Sequence, residues 1–191
     1  MRRIFIGTLV VLTIALINGC ANRKITRVDP SETIDLSGRW NDSDSRLVSE
    51  EMIGDLLTSA WIPRYLKAND KRPVVVVGLV ENKSHEHINS ETFIKDVEKA
   101  IIRDGNIRLV VAGEKRNELR KERAEQQDYA SPETTKKWGK ELGADFILQG
   151  TINSIVDSYK KQKVVTYQID LQLTNIETNE VVWMGDKKIK K

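Results

Sequence analysis

V-V-T-Y-Q-I-D-L-Q-L-T-N-I, residues 164–176, reads as a half-buried β-strand. Val165, Tyr167, Ile169, Leu171 and Leu173 alternate strictly with polar residues, the two-residue period of a strand with one face on a core and the other toward water. D-F-I-L-Q-G-T-I-N-S-I-V (145–156) precedes it and E-V-V-W-M-G (180–185) follows, with E-T-N-E (177–180) as the intervening turn. The last third of the chain is thus three consecutive strands.

Upstream the apolar period changes from two to about 3.6. Asp44 or Ser45 is placed to cap a helix over 46–62, in which Leu47, Val48, Met52, Leu56, Leu57, Ala60 and Trp61 recur at three and four, and Pro63 ends or bends it. V-V-V-V-G-L-V (74–80) is a β-branched run without alternation, as in a strand covered on both faces. Asn89 or Ser90 caps a second helix with Phe93, Ile94, Val97, Ala100 and Ile101 on one stripe and Gly105 as its stop. Ile107–Val111 is a further strand. Residues 114–127 are helical in pattern, but only Leu119 is apolar enough to pack, so that helix is mostly solvated. Ser131-Pro132-Glu133 starts another helix, with Trp138 and Leu142 facing one way and Gly143 ending it. This order predicts an α/β fold of the α+β kind, a mixed sheet of about five strands with helices packed on it.

Charged residues make up 31% of the chain, yet the formal net charge is only +3 and no basic face is concentrated, which argues against a nucleic-acid partner. Cys20 is the single cysteine, so an internal disulfide and a cysteine-rich metal site are both excluded. Its position is more informative. Arg2 and Arg3 precede the uncharged apolar run Ile4–Ile17, the layout of a secretory signal, and the run is shorter than the about 20 residues a bilayer span needs. Ile17-Asn18-Gly19-Cys20 resembles the bacterial lipobox, with Asn18 where small or hydroxylated residues are commoner. That resemblance implies cleavage before Cys20 and acyl chains on it. Ala21, rather than Asp, implies sorting to the outer membrane, with Arg23, Lys24 and Arg27 near lipid head groups. The expected organisation is a lipoprotein signal peptide over 1–19, a lipidated N-terminus and tether over 20–45, and a globular domain over 46–191. A tether of about 25 residues spans on the order of 85 Å fully extended and nearer 28 Å as a flexible coil.

Three stretches together, S-G-R-W-N-D-S-D-S-R-L-V (37–48), V-G-L-V-E-N-K-S-H-E-H-I (77–88) and L-G-A-D-F-I-L-Q-G-T-I (142–152), resemble the penicillin-binding protein activator family LpoB from about residue 31 onward. The resemblance implies a fold like the N-terminal domain of TolB and an outer-membrane lipoprotein facing the periplasm. It also implies a partner, a bifunctional class A penicillin-binding protein that the lipoprotein stimulates in peptidoglycan synthesis. The tether here is shorter than in better-known members and holds a single proline, Pro30. The alternative is a TolB-like envelope-assembly or binding lipoprotein that does not act on a synthase.

No phosphate loop, G-x-S-x-G or H-E-x-x-H is present, and neither a catalytic residue nor a cofactor is expected. His85 and His87 stand at i and i+2 on an extended segment and could share a metal, but with Glu86 they leave a four-ligand site incomplete, and a polar loop after a strand accounts for them. As a rim on a rigid scaffold, Asn82, Ser84, His85, Glu86 and His87 are candidates for partner binding. Arg116, Arg120 and Arg123 form a row on the polar helix with Tyr129 close behind, residue types enriched at binding hot spots. Trp40 is read as packing into the fold, with an exposed anchor as its other role.

Overall fold

The computed structural model describes residues 27–29, 32–135 and 141–191, and within them a folded unit runs from Thr33 to Lys191. Its first helix, α1 (Asp42–Thr58), begins ahead of the expected residue 46 because Asn41, not Asp44 or Ser45, is the N-cap. Asn41 Oδ1 accepts the Asp44 N–H (3.1 Å) and Asp44 Oδ2 accepts the Asn41 N–H (3.0 Å), a reciprocal capping box. Ser43, Asp44 and Ser45 are buried, so the end of the stretch expected to be tether is part of the domain.

Helix α1 also stops early, at Thr58, and Ser59 is extended (ψ 159°). Pro63 sits in the first turn of α2 (Trp61–Asn69), where its missing N–H costs nothing. The Trp61 indole donates to the Leu56 carbonyl (2.8 Å), one of the acceptors that the end of α1 leaves without a helical partner. Leu47 is exposed and Ile53 takes a core place instead.

Strand β1 (Val74–Asn82) is buried on both faces from Val74 to Val77, but a bulge between Val77 and Val80 re-aims it, and Leu79 faces outward. Helix α3 (Ser90–Asp104) is capped by Asn89 through the Glu91 N–H (2.9 Å) and stops at Gly105, whose φ of 77° suits glycine. It buries Phe93, Val97 and Ile101, with Ile94 and Ala100 partly covered. After the short β2 (Arg108–Val110), α4 (Gly113–Tyr129) buries no residue. The middle of the helix expected after Ser131, residues 136–140 with Trp138, lies outside the described residues; its described ends are not helical, since Ser131 closes a turn to Thr134 and residues 141–144, with Leu142 and Gly143, have no regular structure. Strands β3 (Phe146–Tyr159), β4 (Gln162–Asn175) and β5 (Val181–Lys190) complete the chain.

The sheet order is β2-β1-β3-β4-β5, with β2, β1 and β3 parallel and β3, β4 and β5 antiparallel. A mixed five-stranded sheet with helices packed on it is what the sequence predicts. Val165, Tyr167, Ile169, Leu171 and Leu173 are all buried, and meet α1, α2 and α3 in one core. Two glycines permit close approach. A Cβ on Gly150 would lie 2.2 Å from the Asp170 carbonyl oxygen, and one on Gly185 would lie 2.4 Å from the Trp183 ring. Trp183 can therefore lie over β5 and donate to Asp55 on α1 (2.9 Å).

Candidate partner-binding site

The loop after β1 is built by Asn82. Its Oδ1 accepts the Ser84 N–H (3.0 Å) and Oγ–H (2.7 Å), and its Nδ2 donates to the Glu86 carbonyl (2.8 Å) and the Ile88 carbonyl (3.3 Å). An asparagine side chain standing in for backbone in this way makes a tight turn without glycine. Asn82 and Ser84 are thus spent on shaping the loop.

His85 is tied to β3 and lies over β4. Its N–H donates to Ser154 Oγ (3.0 Å), its Nδ1 is 2.7 Å from the same hydroxyl, and its ring stacks on Tyr167 with centroids 6.4 Å apart. Glu86 joins two segments: one carboxylate oxygen lies 3.6 Å from His85 Nε2, and the other accepts the Trp40 N–H (3.3 Å). Trp40 is half-buried and packs edge-on against Tyr167 and Phe93, with ring centroids 5.7 and 6.5 Å away. Packing is therefore its role, and stretches 37–48 and 77–88, far apart in the chain, meet there. The buried Tyr167 hydroxyl lies close to the Glu86 carboxylate and the Trp40 N–H without a hydrogen bond of good geometry, because those two are bonded to each other; burial first, and then the nearby Glu86 carboxylate, push it up to about 12.

His87 is exposed. It lines a groove of about 340 Å³ with Arg39, Trp40, Ser45, Glu86 and Thr92. Among the described residues no group of three or more His, Cys, Asp or Glu is placed to hold a metal ion.

The arginine row is occupied by the chain itself. Arg116 Nε donates to the Val111 carbonyl (2.9 Å), Arg120 forks onto both oxygens of Glu141 (2.9 and 3.0 Å), and Arg123 reaches Glu141 Oε1 (3.1 Å). The Arg120 hydrogen bond holds the Glu141 carboxyl below the usual range. These contacts lead toward the start of β3, not to the loop after β1. Tyr129, at the end of α4, is 86% exposed.

One contact set has no counterpart in the sequence reading. Lys191 Nζ lies 2.6 Å from Asp35 and 2.9 Å from Asp44, with only 8% of its side chain exposed. Lys191 and Val165 also exchange backbone hydrogen bonds (2.9 Å each). The segment entering the domain is thereby clamped to the C-terminal end of the sheet. At the other end, Asp145 in the third stretch accepts from the Tyr65 hydroxyl (2.7 Å) and the Val74 N–H (2.8 Å), tying α2 to β1.

Residues 44–189 match the family described as Peptidoglycan-synthase activator LpoB. Among solved structures, the LpoB C-terminal domain from Escherichia coli is similar at 18% identity and a TM-score of 0.45, covering 78% of this chain and 99% of that one. The LpoB C-terminal domain from Salmonella enterica is similar at 20% identity and a TM-score of 0.40, covering 68% and 93%. A lipoprotein from Neisseria meningitidis is similar at 15% identity and a TM-score of 0.39, covering 62% and 83%. No curated protein matches the chain. Among the described residues, no helix is long and apolar enough to cross a membrane.

Proposed function

Because this chain belongs to the LpoB family of peptidoglycan-synthase activators, we propose that it is a lipid-anchored regulator facing the periplasm from the outer membrane. It binds a bifunctional class A penicillin-binding protein and raises that enzyme's output without chemistry of its own. The family match carries the reading, since it runs from the first turn of α1 into β5.

Activation needs only differential binding. A regulator that favours the active conformation of its partner by about 1.4 kcal/mol shifts the equilibrium tenfold. The groove beside the loop after β1 supports docking there: Asn82, Ser84, His85 and Glu86 hold the rim, and His87 and Arg39 face the partner. Arg116, Arg120, Arg123 and Tyr129 on α4 form a second candidate contact, in which Tyr129 is the exposed anchor.

Acylation of Cys20 supplies the anchor. The folded unit begins at Thr33, which leaves about 13 residues from Cys20, able to span at most on the order of 45 Å. The partner is therefore met close to the anchoring leaflet.

The test is capture of a synthase by the purified protein, followed by glycan polymerisation with the captured enzyme; no synthase and no rate change would count against the proposal. Metabolic labelling with a palmitate analogue tests the anchor separately. Label should be present in the wild type and absent in Cys20→Ala, and a mature N-terminus other than residue 20 would refute it. The short reach also favours a second reading, an envelope-assembly lipoprotein that touches no synthase. Crosslinking in cells that recovers outer-membrane or secretion partners and no wall enzyme would support that reading instead.

A further inference from the structure

Strands β3 and β4 outrun the sheet. β1 pairs with β3 only as far as Ile152, and β5 pairs with β4 from Thr166 onward. With Val165 joined to Lys191, β5 still flanks Thr166 and Val165, the partners of Ile155 and Val156, so Asp157–Val164 form a two-stranded arm beyond the third strand on either side, with Ile155 and Val156 at its root. The pairing register puts Ile155, Tyr159 and Val164 on one face of this arm and its root, and they are 67%, 71% and 45% exposed. Val156 is also exposed, on the opposite face. A bare two-stranded ribbon gains little stability by itself, so three exposed apolar side chains on one of its faces call for another account.

Charge surrounds the patch. Lys160 and Lys161 make the turn, Lys188 and Lys190 continue the patch face across β5 opposite Gln168 and Thr166, and Lys163, opposite Ser158, lies on the other face of the arm. Asp157, Asp170 and Asp186 are the acidic residues of β3, β4 and β5 on that face with Lys188 and Lys190, the last two opposite each other and farther from the turn than those lysines. The turn itself is unusual, because Lys160 takes a φ of 53° where hairpins of this length use glycine or asparagine. Its ammonium lies 5.2 Å over the Tyr159 ring.

The chain enters the domain at the root of this arm. Asp35, two residues after Thr33, is clamped by Lys191, which pairs with Val165, the partner of Val156. From Val165 to the turn the arm extends only about 17 Å.

We infer that the arm and its root, Ile155–Val164, rest on the anionic head groups of the bilayer in which the N-terminus is anchored, with Tyr159, Ile155 and Val164 in the interface and Lys160, Lys161, Lys188 and Lys190 on lipid phosphates. The inference rests on the proposal that Cys20 is acylated. Tyrosine beside aliphatic side chains, flanked by lysine, is the composition that partitions to a membrane surface. Each lysine adds an attraction that decays within a Debye length. The contact would fix the orientation of the domain relative to the leaflet.

Among the described residues the buried core lies wholly between Val48 and Trp183, so residues 33–191, with their fold checked by circular dichroism, can be tested with neither Cys20 nor a synthase present. Co-sedimentation with phosphatidylglycerol vesicles at low salt should bind it, and phosphatidylcholine vesicles should not. Lys160→Glu with Lys161→Glu should lower partitioning by about tenfold or more, and Tyr159→Ser should lower it without changing charge. No binding to phosphatidylglycerol, or equal binding by the charge-reversed variant, overturns the inference. So does loss of synthase stimulation by that variant in detergent, where no bilayer exists, since the arm would then dock on protein. Palmitate labelling reports on Cys20 alone, so failure of the anchor and failure of the arm are separable.

Discussion

Lys191 Nζ lies 2.9 Å from Asp44 Oδ2, so the last residue of the chain holds the first turn of its first helix. Both side chains are about nine-tenths buried, and removing one leaves the other charge uncompensated. Lys191→Met should cost on the order of 2–3 kcal/mol in urea unfolding, and adding Asp44→Asn should recover part of that. The pH dependence follows. Desolvation lowers the Lys191 value, but the Asp35 and Asp44 hydrogen bonds outweigh it and the net shift is upward. Its stabilisation is therefore complete below 10.5 and lost as pH rises through the raised folded value. Asp35 is held low chiefly by Lys191, so its contribution is present above 3.8 and lost as pH falls. Lys191→Met should flatten both limbs; unchanged limbs would show that the clamp does not form.

Tyr167 keeps a buried hydroxyl with no hydrogen bond of good geometry. Tyr167→Phe removes that unsatisfied group and keeps the ring, so stability should hold or rise by up to about 1 kcal/mol. The phenol is raised from 10.0 to about 12, so the wild type loses stability between those values as the unfolded chain ionises first. In the Phe variant this part of the alkaline loss should vanish. A destabilised variant would mean that the hydroxyl has a partner.

Lys160 is strained at φ 53°, at a cost of about 1 kcal/mol that glycine would not incur. Lys160→Gly should raise Tm by about 2–4 °C while weakening vesicle binding. A fall in Tm would show that the left-handed turn does not form.

The alternating strand at 164–176 was legible because its signal is local: five apolar residues at a period of two, all buried in the structure. Helix ends were less so. In N-D-S-D-S several residues can cap, and only the reciprocal Asn41–Asp44 pair decides among them. The arginine row was visible on α4, but Glu141, which occupies it, is 18 residues or more away. Nothing local marks Lys191, whose partner Asp35 lies 156 residues back. Asn82, by contrast, carries a readable signal, since N-x-S after a strand is an Asx turn.

Gly150 faces β4 so closely that any Cβ must displace the Asp170 carbonyl and the Leu171 side chain. The loser would be backbone in the middle of the antiparallel pair, not a flexible side-chain end. Gly150→Ala should therefore cost about 2–3 kcal/mol by overpacking. Gly54→Ala on α1, where a Cβ meets nothing within 4 Å, should instead stabilise by up to about 1 kcal/mol. Thermal unfolding of the two variants side by side checks both signs.

Asn82 and His87 separate shape from contact in the loop after β1. Asn82→Ala withdraws the donor to two carbonyls and the acceptor of the Ser84 N–H, for an expected loss of about 2 kcal/mol. Hydrogen exchange should quicken at Ser84–Ile88 and at Trp40, which depends on Glu86. His87 is exposed, so His87→Ala should change stability by less than about 0.5 kcal/mol. If the groove docks a synthase, both variants should stimulate it less. Saturating protein should then restore His87→Ala, which has lost a contact, more fully than Asn82→Ala, whose rim is misplaced at any concentration. Full stimulation by both at limiting protein would move the docking face away from this groove, leaving α4 and Tyr129 as the surface to vary next.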